Sequence, residues 1–253
     1  MPTLTDWLPF AAAVALTFVV AGLVKGVVGM GLPTVAIGVL GLVMTPGQAA
    51  AIVIVPSLAT NVWQLMAGGA FRALLRRLSG MLVAVAIGTF LSIGVLAGHS
   101  AALASAALGA ILVVYGAYGL LMRTFTVPDA VQRWASPLVG LLTGLVAGMT
   151  GVFVFPGVPY LNSLGLDKDT LIQALGIFFT VSTVALGAAL ALAGQYPLVS
   201  LGASFGALLP ALLGMALGQL LRRRLSPATF RRWFFVGLVA LGLYMLARVL
   251  LRP

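Results

Sequence analysis

Apolar residues run through this chain in eight long stretches, separated by short polar, basic or glycine-rich breaks. The first stretch covers about residues 8–43 and is interrupted by Gly29-Met30-Gly31-Leu32-Pro33. The second covers about 47–67 and gives way to the basic segment Phe71-Arg72-Ala73-Leu74-Leu75-Arg76-Arg77. A third (about 80–96) and a fourth (101–122) flank a turn at Gly98-His99-Ser100. After a central loop, Arg123 to Arg133, a fifth stretch runs over 134–164, interrupted by Gly148-Met149-Thr150-Gly151 and Pro156. The sixth (170–193) and seventh are joined by Gly194-Gln195-Tyr196-Pro197. The seventh ends at Arg222-Arg223-Arg224, and the eighth covers about 230–251. Stretches of about 17–25 apolar residues are long enough to cross a bilayer once as a helix. Six of the eight fit that length.

The first and fifth stretches differ. Each exceeds 30 residues and is broken near its middle by glycines with a proline after them. In the fifth, the legs 134–147 and 152–165 each extend roughly 21 Å at 1.5 Å per residue, short of a hydrocarbon core. The pattern predicts a hairpin of two short helices with its tip inside the protein, where irregular backbone is tolerated only if buried or lining a cavity. Six full helices and two broken ones give about ten helical segments. The expected fold class is an all-α polytopic membrane protein.

Composition agrees with this class. Apolar residues are 62% of the 253 and charged residues 7%. A soluble domain of this size needs more polar surface than that. Cysteine is absent and histidine occurs once. That excludes disulfides, thiolate chemistry and a histidine-rich metal site. The net charge of +10 punctuates apolar runs instead of forming a stripe, so it points to cytoplasmic helix ends and not to nucleic acid. The first residues lack a basic region, so no cleaved signal peptide is expected. The four acids, Asp6, Asp129, Asp167 and Asp169, all fall in tails or loops. That disfavours hydrolytic or metal chemistry within the spans, and the chain reads as no enzyme, with no catalytic residue, metal or cofactor. It also disfavours a membrane-embedded carboxylate as proton carrier.

The two broken stretches resemble each other. Gly22-x-x-x-Gly26-x-x-Gly29-Met30 compares with Gly140-x-x-x-Gly144-x-x-x-Gly148-Met149, and Ser57-x-x-Thr60-Asn61 with Phe179-x-x-Ser182-Thr183. This predicts a duplication, with one repeat over 1–125 and the second over 126–253, in one membrane domain. Equivalent loops carry opposite charge. The 72–77 segment is basic and its partner 194–197 is not, whereas the Gly98–Ser100 turn carries only His99 and its partner 222–232 has five arginines. The repeats should therefore have inverted topology, with both termini extracytoplasmic. Arg248 and Arg252 then lie on the disfavoured side.

The Gly-Met-Gly-Leu-Pro break after Lys25 and the run Gly148-Met149-Thr150-Gly151-Val152-Phe153-Val154-Phe155-Pro156-Gly157 resemble the TauE/SafE sulfite exporter family, also called the toluene-sulfonate uptake permeases. So does Gly165-Leu166-Asp167-Lys168-Asp169 followed by Gln173-Ala174-Leu175-Gly176. The resemblance covers essentially the whole chain. It implies an inner-membrane transporter of sulfite, sulfonates or related small sulfur-containing anions. A membrane scaffold without a substrate is the other reading.

Several residues are candidates for an anion site. Lys25 is the one charge clearly inside an apolar stretch, and a buried charge there costs at least about 2.5–3.5 kcal/mol. Snorkelling to an interface is the plainer alternative. The breaks at Gly29, Met30 and Gly31 and at Gly148, Thr150 and Gly151 would expose backbone N–H donors to an anion, or merely permit a kink. Asn61 and Thr183, with Thr60, Gln64, Thr180 and Ser182 near them, would add neutral donors or simply bond between helices. The expected site lies between the two broken-helix tips at the membrane midplane. Gln173, one turn into its span, reads as interfacial. The pairs Gly22/Gly26, Gly140/Gly144, Gly202/Gly206 and Gly214/Gly218 read as helix packing. The expected partners are a small anion and membrane lipid, the latter against the arginine clusters, with self-association into a homo-oligomer left open.

Overall fold

A computed structural model describes the backbone of residues 4–66, 68–98, 100–121, 125–195, 198–222, 224 and 226–251, with side chains described from Pro9 onward except at 198, 199 and 227. His99, Arg123, Arg223 and the Tyr196-Pro197 end of the 194–197 turn lie outside these residues. The described chain forms ten helices: α1 (Leu4–Val28), α2 (Leu32–Leu40), α3 (Pro46–Leu65), α4 (Phe71–Ala97), α5 (Ala101–Leu121), α6 (Asp129–Thr150), α7 (Gly157–Asn162), α8 (Lys168–Leu192), α9 (Leu198–Leu221) and α10 (Pro227–Leu250). Seven of them, α1, α3, α4, α5, α8, α9 and α10, are long and apolar enough to cross a membrane.

Local chemistry sets the boundaries. Gly29 and Gly31 take positive φ, 86° and 99°, and so end α1 and open α2, where Pro33 occupies the first turn. Gly151, at φ 76°, stops α6 in the same way. Thr45 and Gln48 form a capping box ahead of α3. The Asp167 carboxylate accepts from the backbone N–H groups of Asp169 and Thr170, both at 3.1 Å, at the start of α8. The side-chain and backbone hydrogen bonds from Thr170 hold that carboxyl below the ordinary carboxylate range.

Two expectations about length need correction. The hairpin legs are unequal: α6 has 22 residues and is not a short leg of 14, while α7 has only six. The polar turn with Asp129, Gln132 and Arg133 continues the α6 helix out of the apolar region instead of ending it. The basic segment 71–77 is likewise the first two turns of α4 and not a loop. Arginine is a good helix former, and its charge reaches water past the helix end.

The helices pack in pairs. On α1 and α9, Gly22 and Gly26 face the backbone of Ala211, Met215 and Gln219, while Gly214 and Gly218 face that of Val19 and Leu23, so the two helices run side by side in one direction. On α6 and α4, Gly140, Gly144 and Gly148 meet the backbone of Met81, Val85 and Thr89, again in one direction. By contrast, α3 and α8 run opposite ways, with Leu65 against Gly176 and Ile54 against Gly187, and so do α5 and α10, with Gly109 against Gly242 and Gly116 against Val239. The packing expected of Gly202 and Gly206 is not seen: a Cβ at either would meet nothing within 4 Å.

Proline in a buried helix leaves a carbonyl to satisfy. Pro56 of α3 has no N–H to give the Ile52 carbonyl four residues back. The Ser204 hydroxyl of α9 donates to that carbonyl at 2.8 Å and accepts from the Val55 N–H at 3.1 Å. A neighbouring helix thus replaces the missing bond, as an apolar surrounding requires.

Charge separates the two ends of the bundle. The Arg72–Arg77 turns of α4, Arg133 of α6, Lys168 of α8, Arg222 at the end of α9 and Arg231-Arg232 of α10 share the end where α1 and α3 finish. Arg248 is the one basic residue at the other end among the described residues, and it donates to the Leu42 carbonyl at 2.5 Å.

Candidate functional site

Four polar residues of α3, Ser57, Thr60, Asn61 and Gln64, fall at i, i+3, i+4 and i+7, one stripe of an otherwise apolar helix. All four are buried. The stripe faces α1 and α8 and meets Lys25, which is 2% exposed and the only buried charged residue among those described. The Lys25 ammonium donates to Thr60 Oγ1 at 2.9 Å and to Asn61 Oδ1. It lies 6.0 Å from the centre of the Phe179 ring, a cation–π distance. Asn61 passes the network on, its Nδ2 donating to Thr183 Oγ1 at 3.1 Å. Gln64 Nε2 donates to the Gly29 carbonyl at 2.5 Å, tying the helix break to the stripe.

The electrostatics of this cluster are one-sided. An ammonium has three donors, and two are used. The described acids, Asp129, Asp167 and Asp169, are all exposed, so no carboxylate balances the buried charge among the described residues. An ionisable group buried so deep among apolar helices is costly, which marks Lys25 as the candidate contact for an anionic ligand. A cavity of about 470 Å³ reaches the cluster, lined by Lys25, Gly29, Gln64, Met215, Gln219 and Arg222, among others. Because Arg222 sits at the end of α9, the cavity leads from Lys25 toward the basic end of the bundle.

The structure joins some of the expected site residues and separates others. Lys25, Gly29, Asn61 and Thr183 form one connected group, with Thr60 and Gln64. Met30 and Gly31 turn away from it: the Met30 thioether accepts from the Tyr115 hydroxyl at 3.3 Å, and Gly31 packs against Phe234. Gly148, Thr150 and Gly151 lie elsewhere. Gly148 sits on the α4 backbone, Thr150 bonds its own helix at Val146, and Gly151 abuts Ile37 and Ala50. Ala50 and Gln64 are 14 residues apart on α3, so the two breaks are separated along that helix by about 21 Å. They do not meet at one tip-to-tip site. The second break reaches the cluster indirectly: the extended residues after Gly151 carry Phe153 onto Phe179, ring centres 5.7 Å apart.

Two more side chains differ from their expected roles. Gln173 is not interfacial but buried, with Nε2 donating to the Leu65 and Gly68 carbonyls and Oε1 accepting from Ala70 N–H, so that it closes the α3–α4 turn. Thr180 bonds back to Gly176 on its own helix at 2.6 Å and adds nothing to the cluster. Sequence reasoning missed Arg222, Gln219 and Met215 as cavity walls. Nothing in the linear sequence ties the end of α9 to Lys25, although the shared small-x-x-x-small spacing of α1 and α9 hints at that pairing.

A family model for the sulfite exporter TauE/SafE family matches residues 14–245. The chain belongs to this family. TauE/SafE membership, together with the seven apolar helices, makes the protein a multi-pass membrane transporter of sulfur-containing anions such as sulfite. No curated protein and no solved structure matches the chain.

Proposed function

We propose that this TauE/SafE protein moves a small sulfur oxyanion across the bacterial inner membrane by binding it at Lys25, with Asn61, Thr183 and the Gly29 break completing the site. The observation that carries this reading is the buried Lys25, unbalanced by any described acid and reached by a cavity from the arginine-rich end. Arg222 at the mouth raises the local anion concentration, and Lys25 at the base holds the ion. The basic end is the cytoplasmic one, since short cytoplasmic segments carry the excess of arginine and lysine. Both termini then lie outside.

We further infer that the halves 1–125 and 126–253 are inverted repeats. Exchanging α1 with α6, and α9 with α4, maps the α1–α9 pair onto the α6–α4 pair. The same exchange turns the antiparallel pairs α3–α8 and α5–α10 onto themselves, as an axis in the membrane plane requires. Asn61 and Thr183, equivalent by alignment, touch each other where such an axis would pass. The cavity at the basic end then has a counterpart at the other end, between α6, α3, α8 and α4. There Gly151 is packed against Ile37 and Ala50. Because each close pair joins a helix of one repeat to a helix of the other, it is rocking of the α1–α9 pair against the α6–α4 pair that would close one path and open the other.

Two measurements follow. Proteoliposomes containing the protein should show sulfite flux driven by membrane potential, above that of empty vesicles; equal flux in both would favour a scaffold without a substrate. The natural chain lacks cysteine, so single substitutions label cleanly. Arg72→Cys should react with an impermeant maleimide only from the cytoplasmic side and Gln195→Cys only from the outside. Labelling of both from one side would contradict the inverted arrangement.

A further inference from the structure

Gln64 carries an atom that the anion reading leaves unexplained. It is 8% exposed, and its Oε1 is buried with no hydrogen-bond partner. The orientation of the carboxamide follows from its other end: Nε2 donates to the Gly29 carbonyl, and turning the group over would set oxygen against oxygen. Ser57 Oγ and Ser182 Oγ are also buried without partners, but a hydroxyl turns to donate or to accept. Oε1 has no hydrogen and only accepts. A buried acceptor left unpaired is costly, so the ligand that suits this site brings a donor to it.

The charge of the site points the same way. Around the cluster pack α1, α3, α8 and α9. The only charged side chains that these elements turn to the cavity, among the described residues, are Lys25 at its base and Arg222 at its mouth. The base therefore balances one negative charge. A dianion seated there keeps a second charge unpaired in an apolar surrounding, which is strongly unfavourable.

We propose, resting on the reading of Lys25 as the anion site, that the transported form is a monoanion carrying its own O–H or N–H donor. Lys25 takes its charge and Gln64 Oε1 takes its proton in a hydrogen bond. For sulfur oxyanions this selects hydrogensulfite over the sulfite and sulfate dianions. It also selects hydrogensulfite over methanesulfonate, which has the right charge but no donor. The proton then travels on the substrate, and no carboxylate in the spans is needed.

The test is calorimetric binding to the full-length protein in detergent, at pH values below and above the second pKa of sulfite, which lies near neutrality. The affinity for total sulfite should fall with pH in step with the hydrogensulfite fraction. Methanesulfonate affinity should stay level over the same range, and sulfate should bind about tenfold or more weakly than hydrogensulfite. Gln64→Met also frees the Gly29 carbonyl and weakens both anions, so the ratio is the readout: the roughly tenfold preference for hydrogensulfite over methanesulfonate should fall to about one in the variant. Should that variant not fold, the wild-type series decides alone. Sulfite affinity independent of pH, sulfate binding as tight as hydrogensulfite, or methanesulfonate falling in parallel with sulfite (a titration of Lys25 itself) would each overturn the inference while leaving the anion site standing. Absence of binding by all three anions at every pH would overturn the site reading on which it rests.

Discussion

Lys25→Met should lower the affinity for a sulfur oxyanion about a hundredfold or more, whereas Arg76→Ala should change it by no more than about twofold. The two residues carry the same charge in opposite surroundings. Arg76 is exposed on the first turns of α4, where solvent and salt screen it. Lys25 is 2% exposed and already bonded to Thr60 and Asn61, so its field acts on an ion with little screening. Charge-assisted hydrogen bonds in such surroundings are about twice as strong as neutral ones. Methionine keeps most of the length of the lysine stem and its packing, so the change removes chiefly the charge. Binding isotherms of the two variants against wild type decide the matter, and equal losses would remove Lys25 from the site.

Gly144→Leu should prevent the protein from folding into a monodisperse species, or lower its stability by about 3 kcal/mol or more. A Cβ at Gly144 would run into the Val85 carbonyl and Gly88 Cα, both backbone atoms that cannot step aside. Glycine is less favourable in a helix than alanine by roughly 0.8–1 kcal/mol and leucine ranks next after alanine, so intrinsic propensity alone would stabilise. The clash outweighs it because the α4–α6 contact depends on close approach of two backbones. Gly202→Leu is the control. Nothing lies within 4 Å of a Cβ there, so propensity acts alone and the melting temperature should hold or rise slightly. Thermal unfolding in detergent separates the two cases; similar melting temperatures would contradict glycine-mediated packing.

The sequence and the structure agree best where the signal is local. Apolar length marked the spans, and glycine followed by proline marked both breaks, since positive φ at Gly29, Gly31 and Gly151 is what such segments supply. Lys25, Asn61 and Thr183 were legible as a set because polar groups in apolar helices stand out singly. The depth of the breaks was not legible. Counting from the first apolar residue shortened α6 by its polar first turns, and equal legs then placed both tips at the midplane. In the folded chain α1 and α6 are nearly full-length, so each break lies near one end of the bundle. The full extent of the α3 stripe was readable in principle. Ser57, Thr60, Asn61 and Gln64 share helical spacing, so the candidate donor Gln64 falls on the same face as Asn61, one turn nearer the end of α3. The role of Arg222 depends on which helices pair, and the only local hint of that pairing is the small-x-x-x-small spacing shared by α1 and α9.

The most direct test of the central claim is the position of the bound ion. Selenite is a heavier analogue of sulfite with the same shape and charge, and its selenium is distinguishable from light atoms by anomalous scattering. A crystal of the full chain grown with selenite should show the selenium peak beside the Lys25 ammonium, within reach of Gln64 and Asn61. A peak at the Gly148–Gly151 break instead, or one confined to the arginines of the basic end with none at Lys25, would contradict the account.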